Sequence, residues 1–117
     1  EAGPAVEAGL KAVAATQRHL ADDDPGRADQ ALAAARTAPF PPPLRVSYAL
    51  TEGAVALGVG DPDAARRWAD EADKARPGTA AAELLRAAVC YRRGQWKEAA
   101  ERAAAVTRQV GPDPQAS

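Results

Sequence analysis

Between Asp61 and Ala75 the apolar residues Ala65, Trp68, Ala69, Ala72 and Ala75 recur at helical spacing, and most of the residues between them are charged. That rhythm places an apolar stripe on one side of a helix and a wet face on the other, where Arg66/Asp70, Arg67/Glu71 and Asp70/Lys74 stand four residues apart. The pattern returns near the end of the chain, where Trp96, Ala99, Ala100, Ala103, Val106 and Val110 form a stripe opposite Lys97, Glu98, Glu101, Arg102 and Arg108. Punctuation separates the periodic stretches. Asp24-Pro25 and Asp61-Pro62 each read as an aspartate N-cap followed by proline at the first helical position, where its missing N–H costs nothing. Pro39 to Pro43 and Arg76-Pro77-Gly78 end helices, Gly94-Gln95 makes a tight turn, and Gly111-Pro112-Asp113-Pro114 closes the last helix. The pattern predicts an all-α chain of antiparallel helix pairs, with helices over roughly 5–22, 25–37, 44–58, 62–75, 79–92 and 96–109 and no strand.

The stretches repeat. Gly60 and Gly94 lie 34 residues apart, as do Leu50 and Leu84, Leu57 and Tyr91, Ala65 and Ala99, Ala69 and Ala103, and Ala72 and Val106. An earlier copy is offset by 37, matching Asp24-Pro25 to Asp61-Pro62, Val13 to Leu50 and Leu20 to Leu57, with the three extra residues placed in the proline-rich loop. A rival offset of 34 aligns Gly26 with Gly60 and Ala31 with Ala65 but loses the Asp-Pro start.

Thirty-four is the tetratricopeptide period. Segment 46–79 resembles one unit of that family, with Gly53 at the small position of the first helix, Gly60-Asp61 in the turn, Ala65 and Ala72 in the second helix and Pro77 as terminator. Segment 80–113 resembles another through Ala87, Gly94-Gln95-Trp96, Ala99 and Val106. The aromatic early in a typical first helix is missing, with Ala49 and Glu83 at the aligned positions, and Leu32, Ala69 and Ala103 replace the second-helix aromatic. The resemblance implies one domain over 1–117, a short right-handed solenoid with units at approximately 5–42, 43–77 and 78–112. It also implies a protein-interaction scaffold, a regulatory or partner-binding module of a larger protein. Two other readings are a peptide- or ligand-sensing domain controlling a linked effector and an autonomous homo-oligomerisation domain.

Composition narrows the picture. Thirty-two of 117 residues are alanine and only Phe40, Tyr48, Trp68, Tyr91 and Trp96 are aromatic, so the core is thin and suited to closely approaching helices. Fifteen basic against sixteen acidic residues give a net charge of -1, without a basic block for nucleic acid. No apolar run is long enough for a membrane span, and no signal-peptide pattern is present. Cys90 is the only cysteine, which excludes an internal disulfide and favours a reducing, cytoplasmic setting. A chain without methionine that starts at Glu1 is expected to be an excised or processed piece.

Catalytic and metal chemistry find little support. His19 and Cys90 fall in the first and third units, on the order of 20 Å apart for helices stacked at ordinary spacing, and read as a partly exposed histidine and a small buried thiol. Asp22-Asp23-Asp24 lacks the glycine and glutamate of a calcium loop, and Asp24 is committed as a cap. No catalytic residue, metal or cofactor is expected. Pro39 to Pro43 reads as a rigid spacer in preference to a polyproline ligand. A carboxylate clamp for chaperone tails is disfavoured, because the chain has no asparagine and only Lys11 of its three lysines lies on a first helix.

In the family that the chain resembles, the first helices of successive units line a concave surface. The equivalent positions here are Val13, Gln17 and Leu20, then Leu50, Ala54 and Leu57, then Leu84, Ala88 and Tyr91, with Arg92 and Arg93 at the rim. These residues form either inter-helix core or an apolar groove for an amphipathic helix or extended segment, with Tyr91 as anchor. The third unit ends without a polar cap, so it is expected to contact another copy, as in a homodimer, a swapped segment or a further unit.

Overall fold

Three turns of the chain are built alike. In the computed structural model, which describes residues 3–110, the amide of Asp24 donates to the His19 carbonyl at 2.9 Å, that of Asp61 to Ala56 at 2.8 Å and that of Gln95 to Cys90 at 2.9 Å. The residue before each donor has positive φ: 57° at Asp23, 88° at Gly60 and 77° at Gly94. Such a left-handed residue closes the end of one helix and reverses the chain into the next. Asp24 and Asp61 then cap the new helix, each Oδ1 accepting a backbone N–H at 3.1 Å, from Arg27 and from Ala64. A cap of this kind contributes about 1 kcal/mol.

The elements are α1 (Gly3–Ala21), α2 (Pro25–Leu32) prolonged by a single 3-10 turn at Ala33–Ala35, α3 (Pro42–Gly58), α4 (Pro62–Ala75), α5 (Ala80–Arg92) and α6 (Trp96–Val110). Among the described residues there is no strand. Consecutive helices fold back on one another as α1–α2, α3–α4 and α5–α6, and α3 packs in addition on α1, α5 on α3, and α4 on α5. The first residue to turn inward after each tight turn is a buried alanine, Ala28, Ala65 or Ala99. Its small side chain lets the two helices of a hairpin approach closely.

The third helix begins at Pro42, two residues earlier than the spacing predicts, because prolines fit the first turn of a helix without losing a hydrogen bond. The proline-rich loop is more than a spacer. Its Phe40 is buried against Ala38 and Tyr48, 5.5 Å between the two ring centroids, and Tyr48 in turn meets Trp68 edge-on at 5.7 Å. These three rings join loop, α3 and α4 around Val13, Leu32 and Val55. Farther along, Ala65, Ala69, Leu85 and Val89 form a second cluster between α4 and α5. Gly53 makes that joint close, since a Cβ there would overlap the Leu85 side chain.

Two sequence expectations change. Trp96 and Ala100 are exposed and the stripe of α6 narrows to Ala99, Ala103 and Val106, because α6 has substantial contacts with α5 alone. The charges of α4 do not form the expected pairs: Lys74 bonds Glu71 at 2.7 Å, and Asp70 and Asp73 turn to Arg86 of α5. The side chain of Val110 and the stop at Gly111 to Pro114 lie outside the described residues.

Candidate functional site

Helices α1 and α3 lie side by side, held by a bond from Gln17 Nε2 to Thr51 Oγ1 at 3.3 Å. Beside that bond Gln17, Leu20, Leu50 and Ala54 line one open groove, with Arg76 at its edge. The row continues onto α5. Arg92 is exposed, and its Nη1 donates to the Leu57 carbonyl at 3.0 Å, tying α5 to the end of α3. Beyond it Leu84 and Tyr91 are 49% and 64% exposed, with half-buried Ala88 between them.

The row therefore changes character along its length. Val13 is closed inside the first core cluster and is no groove residue, because it packs with Leu32, Phe40 and Tyr48. Leu20, Leu50 and Leu57 are half-buried, each packed on a core cluster while keeping an open edge. Leu84 and Tyr91 stand in water because no described helix covers α5 as α5 covers α3.

Two charged clusters, neither evident from the periodicity, sit where one hairpin meets the next. At the first, Glu52 of α3 is only 5% exposed and accepts from Tyr48 Oη at 2.6 Å and from Arg36 Nε and Nη2 at 3.0 and 3.3 Å. Arg36 also reaches Asp29 at 2.6 Å. Its guanidinium is held even further above its ordinary value, first by the Glu52 hydrogen bond and then by Asp29. Burial and the bond to Glu52 keep the Tyr48 hydroxyl protonated well above the usual tyrosine range.

At the second, Arg86 of α5 bonds Asp70 at 2.7 Å, Asp73 at 2.5 Å and Glu83 at 2.6 Å. Burial opposes its charge, but the three carboxylates outweigh that cost and hold it protonated. Arg86, Asp70 and Glu83, with Cys90, Glu98 and Arg102, line a polar cleft over α5. Cys90 Sγ donates to Glu98 Oε2 at 3.0 Å. Burial and then that carboxylate push the thiol above its ordinary range, so the nucleophilic thiolate is suppressed. Glu98 is lowered by the same bond and by Arg102. Arg93 is paired with Asp63 at the start of α4.

His19 is half-buried on α1, and its carbonyl closes the first turn. Among the described residues no three His, Cys, Asp or Glu side chains gather as metal ligands, and Asp24 Oδ1 is occupied by its cap. No helix among them is long and apolar enough to cross a membrane. No protein-family model, curated protein or solved structure matches the chain.

Proposed function

We propose that the chain is a short stack of tetratricopeptide-like units that binds another protein or peptide segment along its first helices, without catalysis of its own. The observation that carries the reading is the row on α1, α3 and α5. It starts as the groove at Gln17, Leu20, Leu50 and Ala54 and ends in water at Leu84 and Tyr91. Two large apolar side chains, two helical turns apart on one face, suit the apolar stripe of an amphipathic helix. The three matching turns support the repeat, since they recur at the 37- and 34-residue offsets read from the sequence.

The experiment is a capture of partners from the source cells with the unmodified chain, with Leu84→Asp/Tyr91→Ala, and with Val59→Asp as an exposed control off the row. Partners lost only with the double variant support the reading. Partners retained by it sink the groove, and a complex that forms from the chain alone and rises with its concentration moves the reading to homo-oligomerisation.

A further inference from the structure

The two charged clusters occupy matching places with opposite signs. Glu52 and Arg86 are 34 residues apart on the first helices of successive hairpins, and their partners Arg36 and Asp73 are 37 apart, Arg36 just past the 3-10 turn that prolongs α2 and Asp73 within α4. At one joint a cation at the end of the second helical segment meets an acid on the first helix that follows; at the next, acids on the second helix meet a cation.

We infer that this reversal of polarity is a device that fixes which hairpin follows which. The apolar contacts mark that order only in part. On the inner faces of the second helices alanine recurs at matching places, Ala28 with Ala65 and Ala35 of the 3-10 turn with Ala72, while the large side chains Leu32 and Trp68 differ between them. The charges discriminate. If α5 packed directly on the first hairpin, Arg86 would face Arg36. If α3 packed on the second hairpin of another copy, Glu52 would face Asp70 and Asp73. Each wrong pairing sets like charges against one another, although Arg36 keeps Asp29, Arg86 keeps Glu83 and Glu52 keeps Tyr48, and specificity then comes from that repulsion at the wrong joint. At the matching places on the outer faces no charge stands among the described residues: 37 residues before Glu52 is Ala15, and 34 residues after Asp70 and Asp73 are Ala104 and Thr107.

The test uses the whole chain and three variants. Arg36→Asp/Glu52→Arg gives both joints the polarity of the second, and Asp73→Arg/Arg86→Glu gives both the polarity of the first. The fourfold variant combining the pairs restores opposition. Each is refolded from denaturant at rising protein concentration, and the fraction in swapped dimers and larger species is read by size-exclusion chromatography with light scattering. The inference expects a several-fold larger swapped fraction than for the unmodified chain in whichever uniform variants fold, and a return to the unmodified level in the fourfold variant. A role in stability alone predicts the reverse order, with the fourfold variant worst. That order, uniform variants indistinguishable from the unmodified chain, or failure of both to fold would each overturn the inference.

Discussion

Asp23 occupies, 37 residues before Gly60, the same left-handed place at the end of a first helix, with φ of 57° against 88°. A residue with a Cβ pays roughly 1 kcal/mol for that conformation, and aspartate somewhat less because its side chain bonds locally. Asp23→Gly should therefore raise the melting temperature modestly, by the equivalent of about 0.5 kcal/mol. Gly60→Ala and Gly94→Ala should each lower it by about 1 kcal/mol, although nothing lies near a Cβ added at either site.

Gly53 answers to a different constraint. Alanine would favour the helix, yet its Cβ overlaps Leu85. Gly53→Ala should cost about 1–3 kcal/mol by overpacking, and the loss should shrink in a Gly53→Ala/Leu85→Val background, measured by chemical denaturation.

Removing one partner of the first charged cluster leaves an acid in the interior. Arg36→Ala should cost nearer 2 kcal/mol than the roughly 3–5 kcal/mol of a fully enclosed pair, since Arg36 is partly in water and Tyr48 still donates to Glu52. Glu52→Gln, which keeps an acceptor for Tyr48, should cost less than Glu52→Ala in the same denaturation measurement.

Alkaline stability follows from Tyr48. Its folded value is raised, so the native chain keeps a proton that the unfolded chain releases. The stabilisation is complete below about pH 10 and is lost as the pH climbs above it. Melting temperatures recorded from pH 8 to 12 should bend downward in that window, and Tyr48→Phe should flatten the bend.

Along the row, burial separates the leucine from the tyrosine. Tyr91→Ala should change stability by less than about 0.5 kcal/mol because the ring stands in water, whereas Leu57→Ala, half-buried on the second cluster, should cost about 2 kcal/mol. Thermal melts of the two variants check the contrast.

The helices were legible in the chain wherever local chemistry decides them. Asp-Pro starts and Gly60 and Gly94 mark turns through backbone preferences that act within a few residues, and Asp24 and Asp61 cap where their position requires. The row on α1, α3 and α5 was legible as a line of positions but not as a gradient of exposure, because exposure depends on which helix lies across it. Phe40 looked like part of a stiff linker, since a buried ring in a proline run has no periodic signature. The charged clusters were hidden for a related reason: Glu52 and Arg86 each read as one more polar residue on a helix. The sign reversal at matched offsets was the one clue in the sequence, and it gains meaning only when helices from neighbouring hairpins are brought together.

The chain's two indoles are placed very differently. Trp68 stands edge-on to Tyr48 within the aromatic contact that joins the first two hairpins, and Trp96 is 67% exposed at the start of α6. Emission from Trp68 should be shifted to the blue and shielded from iodide, while Trp96 emits as an indole in water. Trp96→Phe leaves a chain whose fluorescence reports the packing around Trp68, against the first cluster and against the one that holds Val46, Ala49 and Ala82, so loosening of that core can be timed separately from whatever happens at the exposed start of α6.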